Sequence, residues 1–181
     1  MRIIAGQWRG RALAAPPGKA TRPTADRVRE ALFSMLTSRL GSFEGLRVLD
    51  GFAGTGALGL EALSRGAAHC TFIESDGAAA RVLAANVATL GAGSQARVVS
   101  MRVEQVGRAD APADLVLLDP PYALGLAVPA LERLAKQGWL GPATLVSVET
   151  GKAEALQAEG FERLVDRVRG KARLHLLRPG P

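Results

Sequence analysis

The sequence predicts a doubly wound α/β fold with a mostly parallel sheet that helices cover on both faces. From residue 46 onward, short apolar segments alternate with longer segments of helical spacing, and a glycine-rich loop joins the first strand to the next helix. Repeated strand–helix units favour a parallel sheet, because each helix returns the chain to the same edge. The last segment instead has two apolar runs around Gly170, which predicts an antiparallel hairpin that completes seven strands.

The first 40 residues are predicted to form a short hairpin, a rigid loop and a helix. Short apolar pieces alternate with glycines and prolines over the first 20 residues, as is typical of a hairpin followed by a loop. Thr24 can cap a helix that opens at Ala25. Apolar residues recur at helical spacing from Val28 to Leu36, and Gly41 ends the helix.

The remaining elements follow from changes in hydrophobic period. Short runs rich in Val, Ile and Leu predict buried strands, and longer segments with apolar residues three or four apart predict helices. In chain order we predict a strand at 46–50, a helix at 56–66, a strand at 69–74, a helix at 76–90, strands at 96–100 and 114–119, a helix at 126–138, a strand at 143–149, a helix at 152–160 and the hairpin at 161–179.

Composition limits the class of protein. Of the 181 residues, 48% are hydrophobic and 22% are charged, which is the balance of a globular chain and not of a disordered one. No apolar run approaches the roughly 20 residues that cross a bilayer, and the first ten residues show neither the apolar segment nor the cleavage site of a secretory signal. We therefore expect a cytoplasmic protein without a membrane partner. With one cysteine and two widely spaced histidines, we expect no disulfide and no metal.

Positive charge is concentrated near the ends of the chain. The net charge is +6, and residues 1–40 hold eight basic residues against two acidic ones. Clustered Lys and Arg favour a polyanion, because binding to phosphates releases counterions. A solvated surface in an arginine-rich chain is the alternative. We therefore divide the chain into a basic N-terminal extension, residues 1–40, packed on a core domain, residues 41–181.

The segment VLDGFAGTGALG runs from a predicted strand through a loop into a predicted helix. Gly54, Gly56 and Gly59 satisfy the pattern G-x-G-x-x-G, and Glu74 ends the next strand 20 residues after Gly54. In this context the pattern predicts a nucleotide cofactor whose ribose hydroxyls bond to Glu74. Glycines that serve only the tight turn are the alternative interpretation.

Asp50 distinguishes between two kinds of cofactor. A carboxylate directly before the glycine loop repels a pyrophosphate but suits the ammonium and sulfonium groups of S-adenosylmethionine. A partner for the N-terminus of the following helix is the alternative role. The arrangement Asp50-x-Phe52-x-Gly54-x-Gly56 resembles motif I of class I methyltransferases. We therefore predict S-adenosylmethionine as cofactor, bound by Asp50, Phe52, Gly54, Thr55, Gly56 and Glu74, with Met101 and Arg102 near its adenine.

The tetrapeptide Asp119-Pro120-Pro121-Tyr122 follows the fourth strand, at the sheet edge where open α/β folds bind ligands. Two prolines remove backbone donors, so the Asp119 carboxylate and the Pro120 carbonyl remain as acceptors beside the flat ring of Tyr122. These groups predict a pocket for the exocyclic amino group of a planar base, positioned to attack a methyl group while Asp119 or water takes the proton. An ordinary turn with a core tyrosine is the alternative.

The tetrapeptide resembles the catalytic motif of amino-group methyltransferases, which include DNA adenine-N6 and ribosomal guanine-N2 enzymes. The segments MRIIAGQWRGRAL, TRPTADRVREALF, LGLEALSRGA and LDPPY together resemble the RsmD family, which methylates a guanine N2 in bacterial 16S ribosomal RNA. The resemblance implies a Rossmann-like, monomeric enzyme that acts on ribosomal RNA, either free or in a small-subunit assembly particle. Its catalytic residues would be Asp119, Pro120, Pro121 and Tyr122, and its RNA contacts Arg9, Arg11, Arg22, Thr24 and Arg27.

Two other functions remain open at this point. An adenine-N6 methyltransferase acting on DNA or RNA usually carries a target-recognition region, for which 181 residues leave little room. A dinucleotide-binding or non-catalytic RNA-binding protein could share the fold, but that function would not explain the tetrapeptide.

Overall fold

The computed structural model describes residues 1–18 and 23–181, and within them seven strands form one sheet. The strands are β1 Arg47–Gly51, β2 His69–Ile73, β3 Ala96–Val99, β4 Ala113–Leu118, β5 Leu140–Gly151, β6 Phe161–Arg169 and β7 Ala172–Pro179. Their order is β3-β2-β1-β4-β5-β7-β6; β1 to β5 run parallel, and β7 is antiparallel to both β5 and β6. The predicted fold class and the closing hairpin are confirmed.

Four α-helices connect the parallel strands or precede them within the described residues: α1 Pro23–Leu40, α2 Ala57–Ser64, α3 Gly77–Thr89 and α4 Ala127–Lys136. The prediction that Thr24 caps a helix opening at Ala25 is wrong, because α1 begins at Pro23. Proline suits a first helical position, where no intrahelical partner exists for a backbone N–H. Gly41 ends α1 as predicted, with φ of +75° and its N–H bonded to the Thr37 carbonyl at 2.9 Å.

The helix predicted at 152–160 is absent. β5 extends to Gly151, and the chain reaches β6 at Phe161 through an irregular segment. Gly151 N–H donates to Glu154 Oε2 at 2.6 Å, and Leu156 is buried in the core. Nine residues give about two turns, which are marginal unless tertiary packing supports them, and here one buried leucine holds the segment without a helix.

The sheet separates two apolar layers. On one side α1, α2 and α3 pack on the sheet through residues such as Phe33, Leu63 and Leu83. On the other side α4 packs through Leu131 and Leu134. The parallel strands β1, β2 and β4 therefore have both faces covered, which explains their nearly continuous apolar runs.

Residues 1–18 lie on the layer that contains α2, and Ile3, Trp8 and Leu13 belong to that apolar core. The segment forms an irregular hairpin with a single bridge between Arg2 and Ala12. Glu61 of α2, which is fully buried, accepts hydrogen bonds from the backbone N–H groups of residues 4 and 5 at 2.9 and 3.0 Å. The division of the chain at residue 40 stays a prediction.

None of the described helices is both long and apolar enough to span a bilayer.

Candidate active site

A cleft of about 600 Å³ opens at the carboxyl ends of the parallel strands. Loops that follow β1, β2, β3 and β4 contribute its lining, together with the last part of β5. Because successive parallel strands end at the same edge, residues far apart in sequence converge there. We call this cleft the first cavity. The residues that line it include Phe52, Gly54, Glu74, Asp76, Met101, Arg102, Glu104, Asp119, Pro120, Pro121, Tyr122 and Glu149.

A second cavity of about 430 Å³ adjoins the first. Its walls are mostly apolar and come from the first residue, α1, the start of α2 and the β6–β7 turn: Met1, Ala25, Val28, Arg29, Leu32, Ala57, Leu58, Gly170, Lys171 and Ala172. Asp119, Tyr122 and Glu149 line both cavities. These three side chains therefore form the boundary between the two cavities.

The glycine loop has a tight backbone. Phe52 and Gly54 have φ of +59° and +58°, and both line the first cavity. A Cβ added to Gly54 would meet no atom within 4 Å, so open space lies beside its backbone. A Cβ on Gly56 would lie 2.3 Å from Leu83 Cδ1. Gly54 thus leaves room for a ligand, whereas Gly56 allows the loop to pack on α3.

Asp50 lies beneath this loop and lines neither cavity. Its side chain is 1% exposed, Oδ2 accepts the Gly59 N–H at 2.9 Å, and Oδ1 has no partner within the described part of the chain. Burial raises the pKa of Asp50 to about 7, against the opposing effect of the Gly59 hydrogen bond. This geometry fits the alternative role, a partner for the helix N-terminus. The assignment of Asp50 to the cofactor stays a prediction.

Glu74 lies on the wall of the first cavity in a fixed orientation. Its Oε2 accepts the Gly54 N–H at 2.7 Å, and its Oε1 accepts the Asp76 N–H at 2.9 Å. Each carboxylate oxygen can accept a second bond, so the half-buried Glu74 can still receive hydroxyl groups from a ligand. In the same cavity lining, the exposed Arg102 and the half-buried Glu104 form an ion pair of 3.6 Å.

The boundary residues form a compact acidic group. Tyr122 Oη donates a hydrogen bond to Glu149 Oε1 at 2.5 Å, and 43% of Tyr122 is exposed. Asp119 is exposed to the cleft, and its pKa is raised, first because the surrounding protein removes water from part of the carboxyl and then by the charges of Glu149 and Asp50. Burial also raises the pKa of Glu149, against the opposing effect of the Tyr122 hydrogen bond.

The sequence model of the family described as "Conserved hypothetical protein 95" matches residues 1–178. The chain belongs to this family, the RsmD methyltransferases. It is 45% identical over 150 residues to "Ribosomal RNA small subunit methyltransferase D" of Escherichia coli strain K12, covering 83% of this chain and 74% of that protein. The Haemophilus influenzae protein of the same name is 43% identical over 160 residues, covering 86% and 81%. The solved structure "Putative methyltransferase yhhF from Escherichia coli" superposes with a TM-score of 0.86 at 40% identity, covering 99% and 98%.

The RsmD fold brings together most of the predicted site residues, but not all. All four residues of the tetrapeptide line the first cavity, as do five of the eight predicted cofactor residues: Phe52, Gly54, Glu74, Met101 and Arg102. Asp50, Thr55 and Gly56 do not line it. No cluster of three or more metal-binding side chains exists among the residues described.

The predicted RNA contacts lie outside both cavities where they are described. Arg9, Arg11 and Arg27 are exposed, and Arg11 Nη2 donates to the Thr89 carbonyl at 2.9 Å. Arg22 and the side chain of Thr24 lie outside the described residues.

Glu149 is the site residue that the sequence prediction missed. It follows Val148 in β5, and Val148 pairs with Leu118 of β4, the residue directly before Asp119. The signal was present in the sequence, because an acidic residue near the end of the predicted strand 143–149 should lie at the same edge as the tetrapeptide after 114–119.

Proposed function

We propose that this protein transfers a methyl group from S-adenosylmethionine to the exocyclic N2 amino group of a guanine in small-subunit ribosomal RNA. The observation that carries the proposal is the boundary formed by Asp119, Tyr122 and Glu149 between two cavities. One cavity can hold the methyl donor and the other a flat base, so that the two reacting groups meet at the boundary. The similarity to proteins named ribosomal RNA small subunit methyltransferase D supports ribosomal RNA as the substrate.

S-adenosylmethionine, the cofactor predicted from the glycine loop, supplies a methyl group on a positively charged sulfur. The first cavity fits this ligand: the backbone of Gly54 leaves open space, and Glu74 presents a fixed carboxylate to ribose hydroxyls. Met101 and Arg102 line the end of the cavity that follows β3, where the adenine would lie. The carboxylates that line the cavity would repel a pyrophosphate but favour a cationic ligand.

Asp119 and the Pro120 carbonyl prepare the amino group for reaction. The lone pair of an aromatic amine is delocalised into the ring, so the nitrogen is a weak nucleophile. Hydrogen bonds from both amino N–H groups to these acceptors favour a pyramidal nitrogen. The available lone pair could then attack the methyl group that bound S-adenosylmethionine would supply, with the neutral thioether as leaving group. The Asp119 carboxylate, or a water beside it, then accepts the proton that the nitrogen loses.

Tyr122 and the exposed arginines hold the substrate. The half-exposed ring of Tyr122 can stack on the target base at the boundary, and the apolar side chains of Val28, Leu32 and Leu58 line the rest of the second cavity. Outside the cavities, we propose that phosphates bind to Arg9, Arg11, Arg22, Thr24 and Arg27, on free RNA or on a small-subunit assembly particle.

Incubation with tritium-labelled S-adenosylmethionine tests the proposal. Ribosomal RNA and small-subunit particles that lack this modification are labelled and digested, and the labelled nucleoside is identified by chromatography. We expect N2-methylguanosine from one position. Labelled N6-methyladenosine would contradict the guanine-N2 assignment, and labelling of DNA in place of ribosomal RNA would contradict the substrate. An Asp119→Ala variant is the control for contaminating methyltransferases and should give at most about a hundredth of the wild-type labelling rate.

A further inference from the structure

Glu149 is a boundary carboxylate that the mechanism above does not use. It is half-buried in β5 and lines both cavities. Its Oε1 accepts the Tyr122 hydroxyl at 2.5 Å, whereas Oε2 receives no hydrogen bond from the described residues. Neither Glu149 nor Asp119 forms an ion pair within those residues. A base in the second cavity would therefore meet two carboxylates whose acceptor capacity is only partly used.

The hydrogen-bonding edges of guanine and adenine differ in a way that such a pair can detect. Guanine presents three donors on adjoining positions, namely the ring N1–H and the two N–H bonds of the N2 amino group. Adenine presents two donors on its N6 amino group beside a ring nitrogen, N1, that is an acceptor. An ionised carboxylate accepts hydrogen bonds but donates none. It therefore pairs with a guanine N1–H and repels the lone pair of an adenine N1.

We propose that Glu149 determines specificity for guanine by accepting a hydrogen bond from the ring N1–H, next to the amino group that bonds to Asp119. The inference rests on the proposed function, because it takes guanine as the base and the second cavity as its site. The Tyr122 hydroxyl bonds to one oxygen of Glu149 and thereby limits rotation of the carboxylate. A site that hydrogen-bonds its substrate rejects analogues that lack the matching group, because its own polar atoms are then left unpaired.

The test uses an analogue that keeps the reacting amino group but lacks the ring N1–H and, with it, the 6-carbonyl oxygen. 2-Aminopurine carries the same exocyclic 2-amino group as guanine, but its N1 is an acceptor. Substrate RNA with guanine or 2-aminopurine at the mapped position is prepared by ligation, and assembled into particles where the enzyme needs them. The ratio of kcat/KM for guanine to that for 2-aminopurine is measured for the wild type, Glu149→Gln and Glu132→Gln. Glu132 is an exposed carboxylate on α4 outside both cavities and serves as the matched control.

We expect the wild type and Glu132→Gln to prefer guanine strongly, and Glu149→Gln to reduce that preference by about tenfold or more, because the amide can donate to the N1 of 2-aminopurine. Affinity for S-adenosylhomocysteine, which lacks the sulfonium charge, and the Tm should stay close to wild type in Glu149→Gln. A lower rate on both substrates with an unchanged ratio would overturn the proposal and leave Glu149 as a support for Tyr122. Wild-type labelling of adenine would instead refute the proposed function itself, and that outcome is seen before any variant is made.

Discussion

The backbone N–H of Gly59 in α2 donates a hydrogen bond of 2.9 Å to Oδ2 of Asp50, at the end of β1. The bond links the strand before the glycine loop to the helix after it. The other oxygen of the buried carboxyl has no partner in the described part of the structure. Burial, together with the nearby charge of Glu74 and against the effect of the Gly59 bond, raises the pKa of Asp50 to about 7. The protonation of Asp50 is therefore coupled to folding.

We expect Asp50 to make the protein less stable as the pH rises from about 4 to about 7. In the unfolded chain its carboxyl loses a proton near 3.8, whereas in the folded protein it keeps the proton up to about 7. The unfolded state then binds fewer protons within this window, so the free energy of unfolding falls, by at most about 1.4 kcal/mol per pH unit for one group. The contribution of Asp50 to the free energy of unfolding is complete below the pKa of the unfolded state, and it is lost as the pH rises through the pKa of the folded state.

Urea unfolding of the wild type and Asp50→Asn between pH 4 and pH 8 measures this contribution. The asparagine oxygen still accepts the Gly59 N–H, but the side chain does not ionise. The difference in unfolding free energy between the two proteins should change across the window, in favour of the variant at high pH. A difference that stays constant with pH would show that Asp50 titrates normally.

Removal of the Asp119 carboxylate should abolish most turnover without weakening cofactor binding. Asp119→Ala loses the acceptor for the amino group and for its proton, and general bases contribute about 100-fold or more to the rate. The loss belongs in kcat, because the interaction strengthens as the nitrogen becomes positively charged. Single-turnover methylation gives the rate, and calorimetry with S-adenosylhomocysteine gives the affinity. Wild-type activity in this variant would remove Asp119 from the mechanism.

The Tyr122 ring should matter more than its hydroxyl. Tyr122→Phe keeps the flat face but loses the bond to Glu149, so we expect it to retain most of the activity. Tyr122→Ala removes stacking worth about 1–3 kcal/mol per base and should raise KM for RNA. The order of activity should be wild type, Phe, Ala and then Asp119→Ala. If Tyr122→Phe were as inactive as Asp119→Ala, the hydroxyl would take part in the chemistry.

Glu74→Ala should weaken S-adenosylmethionine binding by about 1.5–3 kcal/mol, through loss of hydrogen bonds to the ribose. The same change also releases the N–H groups of Gly54 and Asp76, so part of the effect comes from a looser glycine loop. Calorimetry measures the affinity, with Glu132→Ala as the control for removal of a surface carboxylate. Equal affinity in wild type and Glu74→Ala would mean that Glu74 only supports the loop. Tight NAD binding by the wild type would contradict the assignment of the first cavity to S-adenosylmethionine.

Hydrophobic period and turn residues were sufficient to predict the sheet. The glycine loop, the tetrapeptide and the closing hairpin all stand where the sequence places them, because a buried strand and a turn at Gly170 leave local signals. The segment 152–160 was mispredicted because its short apolar spacing suits a helix, while the extension of β5 to Gly151 depends on pairing with β7. Such pairing is a tertiary contact and leaves no mark in the local pattern.

The candidate site was predicted less completely than the fold. Motifs identified residues by their neighbours in sequence, so Asp50 and Gly56 were grouped with Gly54 although they lie beneath the loop or pack on α3. Glu149 has no motif around it and enters the site only because β5 lies beside β4. The second cavity involves α1, α2 and the β6–β7 turn, and no local pattern brings these elements together.

Salt dependence of RNA binding tests the basic N-terminal segment. If Arg9, Arg11 and Arg22 bind phosphates, their joint replacement by Gln should reduce the magnitude of the slope of log K against log salt by about 2–3, since each phosphate contact contributes about 0.7–0.9. S-adenosylmethionine affinity should change little, because none of the described members of this triple lines the first cavity. A slope equal to that of the wild type would show that these arginines are solvated surface residues that do not bind phosphates.

The β6–β7 hairpin offers a second cationic edge for the same measurement. Arg167, Arg169 and Lys171 are exposed near or in the turn, and Lys171 lines the second cavity. By contrast, Arg173 is bound to Asp166 through two bonds of 2.7 Å and is not available to phosphates in the same way. Joint replacement of the three exposed residues by Gln should lower the slope as the N-terminal triple does. The control replaces exposed cations remote from both cavities: Arg97, Arg108 and Lys136. Equal slopes in the hairpin and control triples would show that total charge, and not a phosphate path beside the second cavity, governs binding.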